Sequence, residues 1–521
     1  MIRNLIIFLI LIASLTPKLT NAKANQNKRF EDSNRNFITQ KQDDLKEFPQ
    51  YVADLMKKLS VSPGLAVAVV RGDKIIFTQG FGYRDVKAKL PVTPQTVFYT
   101  ASVIKSFTAT AAKMLAEEGK LDLDVPIKTY FPNLALKAPL SAEQISLRDL
   151  LTHRSGINAN AVNFRTSRTG QYTTEEIFHL LNNYTVPDSP AFEYDNVGYV
   201  MTGYAIQNAT QESWQKQIER KILEPLGMKA TTFYASKVKA GPDFALPYWA
   251  DNGGFIELPY KQDSQMNAAG GMSSSAEDLA KWLVVNMNGG KYSGKQIISP
   301  TVLDETLSPQ INQKQMFYKF NRYAYGLGWN IATYNNDKLV HCFGSFPGFR
   351  PHVSFMPAHN LGVVVLANES GDGAFVPDLI ASDIYDHLLY GKDFQIDSNP
   401  KIAEQAARIQ RNKEQRIKTA ADRELKREKG TKPTLELKAY SGVYENPQYG
   451  RIEITVDGGS LVVKVGNLSA VVAKHYQRDE FEVTFVPRNT LHWVFAVNEK
   501  EGVTKLFDSV RDNATSYVKV K

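Results

Sequence analysis

Ser102 and Lys105 stand three residues apart in Ser102-Val103-Ile104-Lys105. On a helix, that spacing sets both side chains on one face. A serine hydroxyl is a poor nucleophile until a neighbouring base takes its proton, and a desolvated, neutral lysine amine can take it. The pair therefore suits nucleophilic acyl transfer, with a helix N-terminus adding positive potential beside the hydroxyl. Spacing alone is a weak signal, because S-x-x-K recurs at Ser213, Ser236, Ser398 and Ser516. Only Ser102 follows a short apolar lead-in (97–99, VFY) and opens a long apolar stretch free of Gly and Pro. A second element, Tyr-x-Asn, occurs at Tyr194, Tyr334 and Tyr444. Tyr194-Asp195-Asn196 lies in a loop behind Pro187 and Pro190, just ahead of a helical pattern. There a phenol can relay a proton to a leaving group, and the Asn196 amide can bind a substrate carbonyl. The plainer alternative makes Asp195 or Asn196 the cap of the next helix.

These residues need a scaffold. Residues 64–70 (GLAVAVV) and 73–78 (DKIIFT) predict two strands joined at Arg71-Gly72. Phe107, Ala111, Met114 and Leu115 recur at helical spacing over 101–118, with Gly119 as a stop. Similar patterns predict helices over 175–182, 197–207 and 276–288, and strands return over 337–342, 352–356 and 362–367. Strands first, helices next and strands last predict an α/β sandwich whose antiparallel sheet is built from both ends of the domain. Beyond it, a narrow apolar stripe (Ile402, Ala406, Ile409, Ile417, Ala421, Leu425) predicts a helix laid on a surface over 401–429. The remaining residues alternate with period two in about eight short runs, with a turn at Asp457-Gly458-Gly459. That pattern predicts a small antiparallel β-barrel.

Composition bounds the functions open to the chain. Its 521 residues are 43% hydrophobic and 22% charged, which excludes a disordered or polytopic membrane chain. The net charge of +8 is concentrated over 401–429, where ten Lys/Arg stand against five Asp/Glu. No aromatic residue interleaves with those charges, so a solvated helical connector is favoured over a nucleic-acid footprint. The single cysteine, Cys342, excludes an intramolecular disulfide and a Cys-based zinc cluster. Arg3, an apolar run over 5–16 (LIIFLILIASLT), and small residues at Ala22 and Ala24 predict a cleavable export signal over 1–22. Twelve helical residues rise only about 18 Å, too little to cross a hydrocarbon core of roughly 30 Å. A polar leader over 23–46 follows, and the protein is expected to be secreted or periplasmic in a bacterium.

Taken together, the motifs resemble the serine β-lactamase and penicillin-binding-protein superfamily, in its class C-like branch of esterases, D-amino-acid peptidases and related hydrolases. The resemblance is carried by GLAVAV (64–69), Ser102-Val103-Ile104-Lys105, LLTHRSGI (150–157) and Tyr194-Asp195-Asn196. It continues through PLGM (225–228), AGGM (269–272), YGLGW (325–329) and GVVVLAN (362–368), all in the family's order. It implies a β-lactamase/transpeptidase-like α/β fold over 47–395, a charged helical linker over 396–432 and a lipocalin-like barrel over 433–521. It also implies that Ser102 is acylated and that Lys105 and Tyr194 share the proton transfers. The oxyanion would meet the Ser102 N–H and a second N–H from a neighbouring strand. No metal or cofactor is implied, and the substrate is a small molecule or peptide with an ester or amide bond.

The third motif departs from the pattern. The family expects Lys/His-x-Gly there; this chain has HCFGSFPGF (341–349). With Gly344 as the motif glycine, strand alternation turns Cys342 toward the site, whereas a bulge would return His341 to it. Ser345 is then the expected second oxyanion donor. Without the family's cation, substrates lacking a free carboxylate gain weight. A catalytically silent, ligand- or wall-binding member of the fold is the competing expectation. His153 is expected to pack or cap rather than react, and Cys342 to behave as a small buried hydrophobe.

Overall fold

In the computed structural model, residues 45–508 and 515–520 are described, apart from positions 252 and 499. The export signal expected over 1–22, and all but the end of the leader over 23–46, lie outside the described residues. The first described element is helix α1 (Phe48–Leu59), followed by the hairpin β1 (Gly64–Arg71) and β2 (Lys74–Asp85) and the short β3 (Leu90–Pro91). A 3₁₀ turn over Ala101–Val103 leads into α2 (Ile104–Glu117). The intervening helices include α3 (Asn160–Phe164), α4 (Val197–Thr210) and α5 (Ala276–Met287). Six more strands follow: β4 (Ile311–Phe317), β5 (Phe320–Tyr325), β6 (Asn330–Tyr334), β7 (Asp337–Phe343), β8 (Arg350–Met356) and β9 (Leu361–Ala367). Helix α6 (Val376–Tyr390) ends the domain.

The nine strands form one sheet in the order β4-β5-β6-β7-β8-β9-β1-β2-β3. Its two sequence-distant parts meet where β1 pairs antiparallel with β9, Val67 opposite Val365. Period-two alternation divides β1 between two cores. Ala66, Ala68 and Val70 pack on the side of α2 and α5; Leu65, Val67 and Val69 pack on the side of α1 and α6. Burial on both faces explains the unbroken apolar runs of β1 and β9. The expected α/β sandwich, an antiparallel sheet flanked by helices, is therefore the observed architecture.

Helix α7 (Pro400–Lys426) differs in part from the expectation of a helix lying on a surface throughout. Ile402 is buried, and Ala406 and Ile409 pack against the sheet domain. Ile417 and Leu425 are 62% and 83% exposed. The apolar stripe is too narrow to hold the whole helix down, and its second half is tied instead by ion pairs of Arg416 with Asp372 and Arg423 with Glu482. Eight strands then close into a barrel: β10 (Gly442–Asn446), β11 (Gly450–Asp457), β12 (Ser460–Val465), β13 (Val471–Gln477), β14 (Glu480–Val486), β15 (Asn489–Asn498), β16 (Gly502–Asp508) and β17 (Ser516–Lys519). Ile452, Ile454, Leu461 and Val463 point inward as their alternation predicts, while Val456, at the strand end, is 41% exposed. Tyr440, Tyr444, Phe481 and Phe495 fill the interior.

Candidate active site

The chain reaches Ser102 through a tight turn. Ala101 adopts φ +47°, a costly conformation for a residue with a side chain, and Ser102 follows on the 3₁₀ turn ahead of α2. One helical turn on, the Lys105 amine is 3.0 Å from the Ser102 hydroxyl. It also lies 2.7 Å from Asn196 Oδ1 and 2.7 Å from the Ala269 carbonyl. Lys105 is 1% exposed, and its amine sits 5.0 Å from the centroid of the Tyr194 ring. Burial lowers its pKa to about 7, with the nearby Asp195 carboxylate pulling the other way. A neutral amine in this setting has two N–H groups for the two carbonyl-type acceptors and a lone pair left for the Ser102 hydroxyl.

Tyr194 completes the group. Its hydroxyl interacts with Ser102; desolvation pushes its pKa up to about 12, against the lowering effect of that hydrogen bond. The residue as a whole is still 41% exposed, so desolvation acts on its inward hydroxyl end. His153 packs its ring 4.5 Å from that of Tyr194, and its Nδ1 accepts the Asp195 N–H at 3.2 Å. It thus fixes the loop, the packing role expected of it. Capping of α4 falls to Asp195, whose carboxylate accepts the Val197 N–H and, through its other oxygen, the Asn163 amide at 2.8 Å. Asn196 is thereby left to face Lys105.

Across the cleft lies the end of β7. Gly344 is required there because a Cβ would press into the Thr100 carbonyl oxygen and the Ala101 side chain. Ser345 lines the cleft with Ser102 and Asn196, and its N–H has no partner among the described residues. The register of β7 runs without a bulge, His341 opposite Asn330 and Ser354, Cys342 opposite Val353. Cys342 therefore faces the core that contains α2, with burial raising its thiol pKa. His341 is fully buried on the opposite face, where its Nε2 accepts the Arg322 Nε–H at 3.1 Å. Ser102, Lys105, Tyr194, Asn196, Gly344 and Ser345 are brought together; His341 is not.

The other S-x-x-K and Tyr-x-Asn sites have different duties. Ser213 caps a helix, Lys401 is paired with Asp383 and Asp386, and Tyr444 is in the barrel core. Sequence inspection missed the cleft's far wall. It comprises Arg168, Lys261, Phe346 and, from the barrel, Tyr449, around a cleft of about 480 Å³. The barrel is held there by the π-helical turn after α3. Arg165 donates to the Gln448 and Pro447 carbonyls at 2.7 and 2.8 Å, and Gln171 exchanges two hydrogen bonds with the Arg451 backbone. These contacts are spread over distant sequence, with no local spacing to reveal them. Among the described residues no group of three or more His, Cys, Asp or Glu side chains could hold a metal, and no helix is long and apolar enough to cross a membrane.

The β-lactamase family profile matches residues 49–383, and a domain family of unknown function matches 426–517. Protein flp of Staphylococcus aureus is 28% identical over 334 residues, covering 63% of this chain and 64% of that protein. The chain thus matches slightly less than two thirds of that relative's length. Unguisins hydrolase ungD of Aspergillus violaceofuscus is 26% identical over 440 residues, covering 79% of this chain and 76% of the fungal enzyme. Among solved structures, an octameric penicillin-binding protein homologue from Pyrococcus abyssi superposes with a TM-score of 0.58 and 25% identity, covering 91% of this chain and all of that one. D-amino acid amidase from Ochrobactrum anthropi gives 0.53 at 25% identity, covering 66% of this chain and all of the amidase. With the family profile matching well over half of the chain, and a serine, a lysine and a tyrosine converging in its cleft, the protein belongs to the β-lactamase family of serine hydrolase fold.

Proposed function

We propose that the protein hydrolyses an ester or amide through an acyl-enzyme at Ser102, as an amidase, peptidase, carboxylesterase or β-lactamase-like enzyme. The observation that carries this is the Lys105 amine, buried, near neutrality and in contact with the Ser102 hydroxyl. With substrate bound, the Lys105 lone pair takes the hydroxyl proton as Oγ attacks the substrate carbonyl carbon. The carbonyl oxygen gains charge and is met by the Ser102 and Ser345 N–H groups. Tyr194, with a pKa near 12, stays protonated at neutral pH and acts as donor rather than as anionic base. Its proton passes to the leaving group and is replaced from the Lys105 ammonium. Water then attacks the ester carbonyl of the acyl-enzyme, giving a proton to Lys105 and releasing the acid as Ser102 is reprotonated. The similarity to a D-amino acid amidase supports an amide substrate.

Intact mass after exposure to a fluorophosphonate or a fluorescent penicillin tests the proposal. A single adduct on the wild type that is lost in Ser102→Ala is the expected result. No adduct with either probe, and no hydrolysis of p-nitrophenyl esters, would instead support a silent ligand- or wall-binding member. We also propose export, on the basic start and apolar run over 5–16. Recovery of a chain beginning near residue 23 from the medium or periplasm is the expected outcome, and a cytoplasmic full-length product would refute it.

A further inference from the structure

A second, smaller space opens beside the cleft where the barrel meets the sheet domain. Arg168, Lys261 and Phe346 line both, so the two are neighbours across shared walls. Phe346 directly follows Ser345, the second oxyanion donor of the acyl-transfer proposal. Lys261 is 4% exposed, and its amine donates to the Ser167 and Gln265 carbonyls at 3.1 and 3.2 Å while lying 4.2 Å from the Phe346 ring centroid. Tyr260 and Phe346 are partly buried at the edge of the sheet-domain core. Leu468 and Phe485 face them from the barrel, each partly buried at the edge of the barrel core. The space between measures about 50 Å³. One water needs about 10–15 Å³ on that scale, so several methylene-sized groups fit.

The two barrel loops that bring these side chains are pinned to the sheet domain independently. Between β12 and β13, the Asn467 N–H donates to the Thr169 carbonyl at 2.8 Å, and its side-chain amide donates to the Ser264 hydroxyl. Gly466, at φ +51°, permits that approach, because a Cβ there would lie 2.4 Å from the same Thr169 oxygen. Between β14 and β15, the Arg488 guanidinium donates to the Asp251 and Asp372 carboxylates at 2.6 and 2.7 Å. Polar anchors on both sides thus set two apolar edges across a gap instead of letting them close on each other. An apolar concavity of this kind holds its surface against water, and an apolar ligand relieves that contact.

We infer that this pocket receives an alkyl-like end of the substrate acted on at Ser102, so that the barrel takes part in substrate selection. The inference rests on acyl transfer at Ser102, because it describes the remote part of that substrate. Leu468 and Phe485 touch the tail and leave the reacting carbonyl to the near wall.

Calorimetric titration of the full chain carrying Ser102→Ala with N-hexylhexanamide, and with the short N-ethylacetamide, reads the pocket without turnover. The long amide carries a chain on each side of its carbonyl, so either orientation in the cleft offers one to the pocket. It is expected to bind at least about tenfold more tightly, the effect of burying roughly two methylenes. The gap is expected to fall below about threefold in Leu468→Asp and to persist in Leu468→Met, which keeps the apolar volume and controls for folding. Equal affinities, no binding of the long amide, or a preference that survives Leu468→Asp combined with Phe485→Ser would overturn the pocket. Fluorophosphonate labelling of the wild type reports Ser102 separately. A long-chain preference without labelling would remove the acyl-transfer proposal and keep the pocket as an apolar binding site; labelling without the preference would remove the pocket alone.

Discussion

The two walls of the cleft each bury a lysine, and the contrast between them shows how neighbours decide what a desolvated amine does. Lys105 and Lys261 both rest on backbone carbonyls and both lie beside tyrosine rings. Burial lowers the pKa of each. Lys105 has Asp195 nearby, which restrains the fall to about 7, and the Ser102 hydroxyl within reach of its lone pair. Lys261 has Arg168 nearby, which deepens the fall, and an aromatic corner instead of a nucleophile. The first arrangement makes a base that exchanges its proton at neutral pH. The second leaves an amine tied to two backbone carbonyls between two aromatic rings.

The largest expected effect comes from making the two lysines permanently cationic. Lys105→Arg should slow fluorophosphonate labelling of Ser102 by about 10³-fold, because a guanidinium does not give up its proton at working pH. The same change at Lys261, whose amine donates to the Ser167 and Gln265 carbonyls, should slow labelling far less. A labelling rate in Lys105→Arg within tenfold of wild type would collapse the distinction between the walls. Next in size is Gly344→Ala, where the walls meet at the end of β7. The added methyl has no room against Thr100 and Ala101. It should lower unfolding free energy by about 1–3 kcal/mol in denaturant titration and slow labelling with it.

Arg165→Ala should act on the far wall alone. Without its two hydrogen bonds to the Gln448 and Pro447 carbonyls the barrel is held less firmly, and unfolding free energy should fall by about 1–2 kcal/mol in denaturant titration while Ser102 labelling keeps its rate. Loss of labelling would mean that the walls are not independent. The smallest effect is a displacement along the pH axis. Lys105 works as the neutral amine, so the labelling rate should fall about tenfold per unit below pH 7 and level off above it. Asp195 stabilises the charged form; Asp195→Asn should therefore move that limb to lower pH by on the order of half a unit. Movement to higher pH would contradict the assigned cause.

Much of the near wall was legible in the sequence because its parts are local or carried by repeating periods. Ser102 and Lys105 are one helical turn apart, and the helix around them announces itself by period. Tyr194 and Asn196 share a three-residue motif. The sheet followed from short apolar runs at both ends of the domain, and the barrel from period-two alternation. The third motif was only half legible: alternation named Cys342 and a bulge would have named His341, but a bulge is a backbone event with no spelling of its own. The unbroken pairing of β7 with β6 and β8 turned Cys342 toward α2 and His341 away. The stripe on α7 misled for a similar reason. Periodicity shows that a helix has an apolar side, while the shape of the neighbouring domain decides how far along that side is covered.

The sequence by itself therefore determined the candidate serine, its lysine, the tyrosine loop, the sheet and the barrel. Short-range spacing and hydrophobic period act within a few residues and survive in a linear reading. Only the tertiary structure decided the far wall. Arg168, Lys261, Phe346 and Tyr449 come from four separate segments, and of these only Phe346 lies in a stretch, the third motif, that the sequence marks. Arg168, Lys261 and Phe346 meet through contacts within the sheet domain, and Tyr449 joins them because the barrel docks on the turn after α3, which depends on the shapes of two finished surfaces rather than on any stretch of chain.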